Sequence, residues 1–423
     1  MIAWLLISFF VLLFLGVPIA MSLGLSAMGG ILFLGGGSTV TIAQRMFEGM
    51  NSFALLAIPL YTFAGFTMSK GGISKRLMDF CYSIVGHIYG GLAHVNVLSS
   101  MIFAGISGSA VADTAGVSGM FMPEMVRKGY SKKFTVAVTA ISSTIGIIIP
   151  PSIPMVVIAG ICGISTGRLF LGGIIPGIMC GLAQMIVSYF MAKKEGVEKE
   201  PGHFSIGPVL HGLWESWPAL LMPIIIVGTI TMGIVSPTEA GVIAVVYGLF
   251  AGGIIYRELK WEDIKFAFAE TVRTSGRIFI VIGAAKLYTV MLTTAGFDKW
   301  VAKTMLGFST NPTVILIMIL LIFFIVTMFM ESIATLTLFM PILYPIALGV
   351  GIDPIVLSVL ITVVIGVGLV TPPVGMCIYV ACDLMDVTVG EVFPTLVPFI
   401  AATFVCIALM VAFPQLILLP TYL

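Results

Sequence analysis

The sequence predicts an all-α polytopic membrane protein built from an internal repeat. Of its 423 residues, 59% are hydrophobic and only 9% are charged, so the chain carries more apolar surface than a water-soluble core can bury. Its apolar runs, such as IAWLLISFFVLLFL and TVILIMILLIFFIVTMFM, have the length of helices and lack the alternation of barrel strands. We expect roughly 10 to 12 helical segments in the membrane.

Charge and motifs exclude several classes of function. The net charge is +1, and the sequence has no basic and aromatic groove pattern, so nucleic acid is not an expected partner. The GISG stretch Gly105–Gly108 matches the GxSG of intramembrane serine proteases, but no histidine of a membrane segment follows it to act as a base. Neither HExxH nor an ATP-binding P-loop is present. The sequence therefore predicts no enzyme.

Three pairs of landmarks recur at nearly one offset, which indicates an internal repeat. The pairs are Gly72 with Gly296 at 224 residues, Ser109 with Ser332 at 223, and Pro150 with Pro372 at 222. The long hydrophilic stretch 193–213 lies between them and is predicted to be a cytoplasmic linker. The two halves are then 1–192 and 214–423.

The distribution of cations indicates that the two halves are inverted in the membrane. Seven Lys or Arg residues flank the first polar segment, whereas two flank its counterpart. Because cations are enriched on the cytoplasmic side, the two segments are expected to enter from opposite sides. Inverted repeats of this kind are common in secondary transporters.

Each half is predicted to contain a re-entrant helical hairpin. The stretch GISGSAVADTAGVSG, Gly105–Gly119, has too many glycines and polar groups to face lipid. We expect a first hairpin over about 90–127 with its tip at Ser107, Gly108 and Ser109. The second hairpin is expected over about 313–349, with its tip at 331–335.

A broken helix is predicted to follow each hairpin. A double proline interrupts each of the segments at about 131–162 and 352–385. Proline removes a donor and blocks the carbonyl four residues earlier, so each break leaves free backbone oxygens and a half-helix N-terminus.

The tips and breaks together predict Na⁺ and substrate sites. Carbonyl and hydroxyl oxygens suit a small cation, and half-helix N-termini attract an anion. The first predicted Na⁺ site comprises Ser107, Ser109, Asp113, Ser142, Ser143 and Thr144; the second comprises Ser332, Ala334, Thr335, Gly366, Gly368 and Thr371. The predicted substrate site comprises Ser107, Gly108, Ser109, Pro150, Pro151, Ser332, Pro372 and Pro373. The alternative is that these small residues only let helices pack closely.

The acidic residues at membrane depth are functional candidates, because ionised groups there are costly. Asp113 is either a cation ligand or a cap of the second hairpin helix. Glu331 is expected to stabilise its tip. Two amphipathic segments, 41–50 and 261–273, are either interfacial helices or ordinary connecting helices.

The sequence resembles the large membrane subunit of tripartite ATP-independent periplasmic (TRAP) transporters over essentially its whole length. The resemblance lies in LGVPIAMSLG, LLAIPLYTFAG, GISGSAVADTAGVSG, IGIIIPPSIP, GIIPG, SPTEAG and LVTPPVGMCIYV. It implies an elevator-type transporter of the bacterial inner membrane that is coupled to Na⁺ at two or more sites. A domain with both hairpins would slide against a scaffold.

The resemblance also implies partners and a substrate class. The partners would be a separate small TRAP membrane subunit, since Met1 begins directly in the large-subunit pattern, and a periplasmic substrate-binding protein that delivers an organic acid. Family substrates include sialic acids and C4-dicarboxylates, and we expect sialic acid or a similar sugar acid. The alternatives are a stand-alone Na⁺/carboxylate symporter and a scaffold subunit that transports nothing.

Overall fold

The computed structural model describes residues 1–34, 39–197 and 205–422, and the regular elements in these ranges are all helical. The predicted all-α class is confirmed. The helices of the first half are α1 (Ile2–Phe14), α2 (Ile19–Leu34), α3 (Thr39–Met50), α4 (Ala57–Lys70), α5 (Ile73–Val85), α6 (Gly91–Ser107), α7 (Ala110–Arg127), α8 (Lys132–Ser143), α9 (Ile153–Cys162) and α10 (Thr166–Lys194).

The second half is helical in the same way. Its helices are α11 (Ile206–Thr231), α12 (Pro237–Phe250), α13 (Trp261–Thr294), α14 (Phe297–Phe308), α15 (Pro312–Thr327), α16 (Ser332–Gly349), α17 (Pro354–Gly368), α18 (Met376–Met385), α19 (Val389–Ala412) and α20 (Gln415–Leu418). Shorter 3₁₀ turns cover Phe53–Leu56, Thr144–Ile147 and Leu419–Tyr422, and a π-helical turn covers Ala251–Ile255.

The helices are suited to a bilayer. Seven helical stretches among the described residues are long and apolar enough to cross a membrane. Large apolar side chains such as Phe14 and Phe33 are exposed on their outer faces. Lipid would cover such side chains in the membrane.

Seven helices follow one another in the same order in both halves. In each half a helix (α4 or α13) leads to a shorter helix (α5 or α14), which we call the arm. Each arm begins after a left-handed glycine, Gly72 (φ 77°) or Gly296 (φ 81°). The pairs α6–α7 and α15–α16, the pairs α8–α9 and α17–α18, and the long helices α10 and α19 then follow.

The halves pack crosswise around the interrupted helices. Helix α9, from the first half, packs against α16 of the second half. Helix α18, from the second half, packs against α7 and α8 of the first. Because each hairpin contacts the broken helix of the other half, the hairpins and broken helices form one interlocked core.

Two elements differ from the sequence predictions. Helix α11 begins at Ile206, inside the segment predicted as linker (193–213), because apolar residues resume after the charged stretch; residues 198–204 lie outside the described residues. The amphipathic segment 261–273 is the first part of the continuous helix α13. Its counterpart, α3, ends at Met50 and is separate from α4.

The two arms are held differently at their starts. Beside Gly72, Arg76 Nη1 lies 2.7 Å from Glu258 Oε1, and the Arg76 guanidinium lies 4.2 Å from the centre of the Tyr256 ring. Glu258 and Tyr256 follow the π-helical turn after α12. By contrast, a Cβ added at Gly296 would have no described atom within 4 Å. The first arm is therefore anchored to the segment after α12, whereas the start of the second arm is open.

Candidate functional site

The tip of the first hairpin is a glycine turn capped by a serine. Helix α6 ends at Ser107, Gly108 takes a left-handed conformation (φ 64°), and Ser109 is the extended N-cap of α7. The Ser109 hydroxyl accepts a hydrogen bond from the Ala112 N–H at 3.4 Å. A side chain at position 108 would place its Cβ 2.6 Å from the Pro151 carbonyl oxygen, so both φ and space require glycine.

This tip is hydrogen-bonded to the first helix break. The Ile153 N–H donates to the Gly108 carbonyl at 3.2 Å. Ser152 shapes the break, because its hydroxyl donates to the Ile147 carbonyl at 2.5 Å and accepts from the Met155 N–H at 3.3 Å. The break therefore ends one half-helix and starts the next. It also holds the hairpin tip through the hydrogen bond between Ile153 and Gly108.

The second tip repeats this arrangement with different residues. Helix α15 ends at Thr327 and α16 begins at Ser332. The Val374 N–H, in the second break, donates to the Met328 carbonyl at 3.0 Å. Each half thus joins a tip carbonyl to a backbone N–H just after its double proline. The Pro150–Pro151 and Pro372–Pro373 peptide bonds are both cis.

The position predicted for the second tip, 331–335, is wrong by a few residues. The non-helical residues are 328–331, and Ser332 to Thr335 form the first turn of α16. The cause is Glu331, whose Oε2 accepts from the N–H groups of Ile333 (2.9 Å) and Ala334 (3.3 Å). Because a capped N-terminus stabilises the first turn, the helix starts there. Glu331 stabilises the tip, as the sequence predicts.

Asp113 is not the cap of α7. That cap is Ser109, whereas Asp113 Oδ1 accepts from the Ser107 hydroxyl. The other oxygen, Oδ2, is buried and has no hydrogen-bond partner among the described residues. It lies directly against Gly146, where a Cβ would overlap it. The side chain is only 3% exposed, so an acceptor oxygen of a carboxyl group lies unpaired inside the protein.

The predicted first Na⁺ set is divided in the structure. Ser107 and Asp113 are in contact, and the 3₁₀ turn that begins at Thr144 carries Gly146 against Asp113. Ser142 instead donates to Asn96 Oδ1 at 3.1 Å and accepts from Ser100 at 3.0 Å, between α6 and α8. This differs from the prediction that Ser142 lies beside Asp113. The neighbouring Ser143 hydroxyl donates to the Thr139 carbonyl at 2.7 Å.

The predicted second set is also divided. Ser332 donates to Glu331 Oε1 at 2.7 Å and Thr335 to the Glu331 carbonyl at 3.0 Å, so both lie at the second tip. Ala334 lies beside them in the first turn of α16.

The remaining members of the second set lie on or just after α17. Gly368 packs against Thr327 at the end of α15, and Thr371 donates to the Val367 carbonyl at 2.7 Å. Gly366, however, lies against Thr144 of the first set, where a Cβ would be 3.3 Å from the Thr144 Cβ. The two sets are therefore adjacent.

Two further residues at this crossing are absent from the sequence prediction. Gly146 makes room for the Asp113 carboxyl group. Cys377, in the first turn of α18, is buried, and α18 packs against α7, the helix that carries Asp113. A lone glycine or cysteine in an apolar run carries no local signal, because only the tertiary crossing brings these residues together.

A cavity of about 470 Å³ opens beside the first tip. It is lined by Val111, Pro373, Val374, Met376, Tyr379 and Val380. Of the predicted substrate residues, Pro373 lines this cavity. Ser109, two residues before Val111 in the sequence, is half-buried, whereas Pro150 and Pro151 are buried. Of the two double prolines, the second is therefore the one that is accessible from outside the protein.

The comparison with known families matches residues 6–416 to the family described as "Tripartite ATP-independent periplasmic transporter, DctM component". The chain belongs to this family. It is 35% identical to the sialic acid TRAP transporter large permease protein SiaM of Vibrio cholerae, over 96% of this chain and 95% of that protein. It is 37% identical to the isethionate TRAP transporter permease protein DctMQ of Oleidesulfovibrio alaskensis, over 93% of this chain but only 62% of that longer protein.

As a large TRAP subunit, the chain is a multi-pass protein of the bacterial inner membrane and a transporter subunit, not an enzyme. These predictions are confirmed. A solved structure, the YdaH transporter of Alcanivorax borkumensis, has the same fold with a TM-score of 0.58 at 12% identity, covering 89% of this chain and 88% of YdaH.

Proposed function

We propose that the chain imports an organic acid by an elevator mechanism coupled to Na⁺. The observation that supports Na⁺ coupling best is the unpaired, buried Oδ2 of Asp113 at the crossing of a hairpin tip and a helix break. An ionised carboxylate in such a place is costly, and a bound cation would neutralise it. In this scheme Na⁺ is a co-transported substrate, with at least one further ion held near the second tip.

Binding of Na⁺ would couple to substrate through the tip. A cation on Asp113 would hold Ser107 and the first tip against the 3₁₀ turn at Thr144–Ile147. The first tip is joined to the first break by the Ile153–Gly108 hydrogen bond. Because the hairpins and broken helices interlock, this core would move as one body, with the two arms as its connections to the rest of the protein.

The partners and the substrate class are proposed from the related proteins. We propose a small TRAP membrane subunit and a periplasmic substrate-binding protein as partners, because the isethionate relative is longer than this chain and the family is tripartite. The relatives are named for different organic anions, sialic acid and isethionate, so they support an organic anion without choosing one. The predicted sialic acid or C4-dicarboxylate stays a prediction.

The proposal is tested by removing the charge of Asp113. Asp113→Asn keeps the size of the side chain and an oxygen for Ser107, but lacks the charge. A charged ligand contributes about 1.5–3 kcal/mol, so the Na⁺ affinity should fall by about tenfold or more. The matched control is Asp386→Asn, the same change at an exposed site after α18. Sodium binding is measured by the rise in melting temperature as NaCl replaces KCl; equal affinities for both variants and the wild type would refute the Na⁺ site.

Two alternatives give different results in reconstituted vesicles. A stand-alone symporter would take up acid with no added partner subunit or binding protein. A scaffold that transports nothing would tolerate Ser109→Ala and Ser332→Ala, whereas both variants of a symporter should stay folded and lose Na⁺-dependent uptake.

A further inference from the structure

One face of the first arm is covered by another helix of the chain. The first arm, α5, packs against α11. A Cβ added at Gly212 of α11 would lie 3.2 Å from the Phe80 Cα, and the Ser216 hydroxyl donates to the Arg76 carbonyl at 2.9 Å. Arg76 and Phe80 are one helical turn apart, so they belong to the stripe of the first arm that α11 covers. The stripe continues to Ile84, which is half-buried.

The matching stripe of the second arm is exposed. The glycines that start the two arms are 224 residues apart, and at this offset the stripe on α14 consists of Trp300, Thr304 and Phe308. Trp300 is 59% exposed, Phe308 is 76% exposed, and Thr304 is exposed between them. Helix α14 packs against α13 and α16. Within the described ranges, no helix therefore covers this stripe as α11 covers the first arm.

Two lysines run beside the exposed stripe. Lys299 and Lys303 lie one helical turn apart on α14 and are exposed. Neither has an ion-pair partner in the part of the chain that the structure describes. In the first half, the covering helix carries a carboxylate, Glu215, directly before the serine that contacts the arm. A carboxylate on a helix over the second arm would pair with these lysines in the same way.

The internal repeat favours a protein helix over lipid as the cover of the second arm. In the first half the covering residues Gly212 and Ser216 are small and lie one turn apart, which is the pattern that lets membrane helices approach closely. Helix α1 precedes α2 as α11 precedes α12, but α1 packs against α2 and α13. The described helices of this chain therefore leave the place over the second arm to a partner.

We propose that a transmembrane helix of the small membrane subunit docks on the stripe formed by Trp300, Thr304 and Phe308. The inference rests on the proposed function, which supplies that subunit, and adds the surface on which it binds. The docking helix presents small side chains to Trp300 and Phe308 and a carboxylate to Lys299 and Lys303. The subunit then holds the second arm as α11 holds the first.

Photo-crosslinking tests which molecule covers the stripe. The full chain carries p-benzoylphenylalanine in place of Thr304, is produced together with the small subunit and is irradiated in the membrane. We expect a covalent adduct with the small subunit. The same photoreactive residue in place of Ile186, which is 59% exposed on α10, should give no such adduct. An adduct with a second copy of this chain, a cross-link within the chain, or an adduct with lipid alone overturns the proposal.

Truncation of the aromatic side chains tests whether they contribute to binding. The double variant Trp300→Ala with Phe308→Ala should bind the small subunit at least about tenfold more weakly, because buried aromatic side chains dominate the affinity of interfaces. Both side chains are exposed in this chain, so the variant should melt at the wild-type temperature. The control is Phe190→Ala, which removes a 65% exposed ring from α10 and should leave the affinity unchanged. Titration of the fluorescently labelled subunit measures the affinity, and an unchanged value in the double variant contradicts the proposal.

Failure of the docking surface is separable from failure of the proposed function. If the small subunit binds the wild type without reacting at position 304, and uptake still depends on Na⁺, the docking surface is wrong and the function stands. If the wild type binds no small subunit and takes up acid alone, the proposed partnership fails together with its docking surface.

Discussion

Gly146→Ala is expected to remove Na⁺ binding at Asp113 without replacing a proposed ligand. The added Cβ would overlap Asp113 Oδ2 and lie 3.0 Å from Asp113 Cγ. Carbon atoms in contact are about 3.5–4.0 Å apart and the overlap with Oδ2 is closer still, so the carboxyl group must withdraw by about 1 Å or more. Oxygen ligands of a hard cation are held within a few tenths of an ångström, so this shift disrupts coordination. Overpacking of this kind costs about 1–3 kcal/mol.

The assay separates loss of binding from loss of folding. The melting temperature of the purified protein is followed as NaCl replaces KCl at constant ionic strength. Gly146→Ala should melt somewhat lower in KCl and lose its Na⁺-dependent stabilisation, since about 1.4 kcal/mol already corresponds to a tenfold weaker affinity. Gly119→Ala is the control, because a Cβ there meets no described atom within 4 Å. A Na⁺ affinity of Gly146→Ala within about threefold of that of Gly119→Ala would refute the reasoning.

Three further predictions concern the starts of the arms and the hairpin tips. Gly72→Ala should destabilise the protein by up to about 1 kcal/mol more than Gly296→Ala, because both glycines are left-handed but only the first Cβ would displace the Glu258 carboxylate from Arg76. Equal melting temperatures would contradict the anchored arm. Gly108→Ala should lower the free energy of unfolding by at least about 1–2 kcal/mol, because alanine disfavours the left-handed φ at this position. Gly116→Ala, at a helical position in α7, should not lower it, and thermal unfolding measures both. Glu331→Ala should lose about 0.5–2 kcal/mol of cap stability and Glu331→Gln much less; identical losses would show that the side-chain oxygen does not cap α16.

Local chemistry allowed the sequence to predict the first hairpin and both breaks closely. The hairpin expected over 90–127 comprises α6 and α7, which run from Gly91 to Arg127 around Gly108. Glycine and double prolines act on the backbone at their own positions, so their effects can be read without tertiary information. The exact start of α16 depends on the cap by Glu331. The sequence predicts that Glu331 stabilises the tip, but it does not show that the helix begins directly after this residue.

The members of the candidate site were harder to predict because they depend on how helices cross. Gly366 lies beside Thr144 of the other half because α17 packs against the 3₁₀ turn at Thr144–Ile147. Gly146 lies against Asp113 because α7 packs against the same turn. Likewise, Ser142 points toward Asn96 and Ser100 because α8 packs on α6. The identity of a small polar residue does not determine which of two neighbouring helices it will face.

Uptake into proteoliposomes tests the central claim most directly. The chain is reconstituted with the proposed small membrane subunit and binding protein, and accumulation of an organic acid is followed with Na⁺ either outside only or equal on both sides. Accumulation above the external concentration only with the inward Na⁺ gradient, and its loss in Asp113→Asn but not Asp386→Asn, is the result we predict. Accumulation of the same size when Na⁺ is replaced by K⁺ throughout would contradict the account.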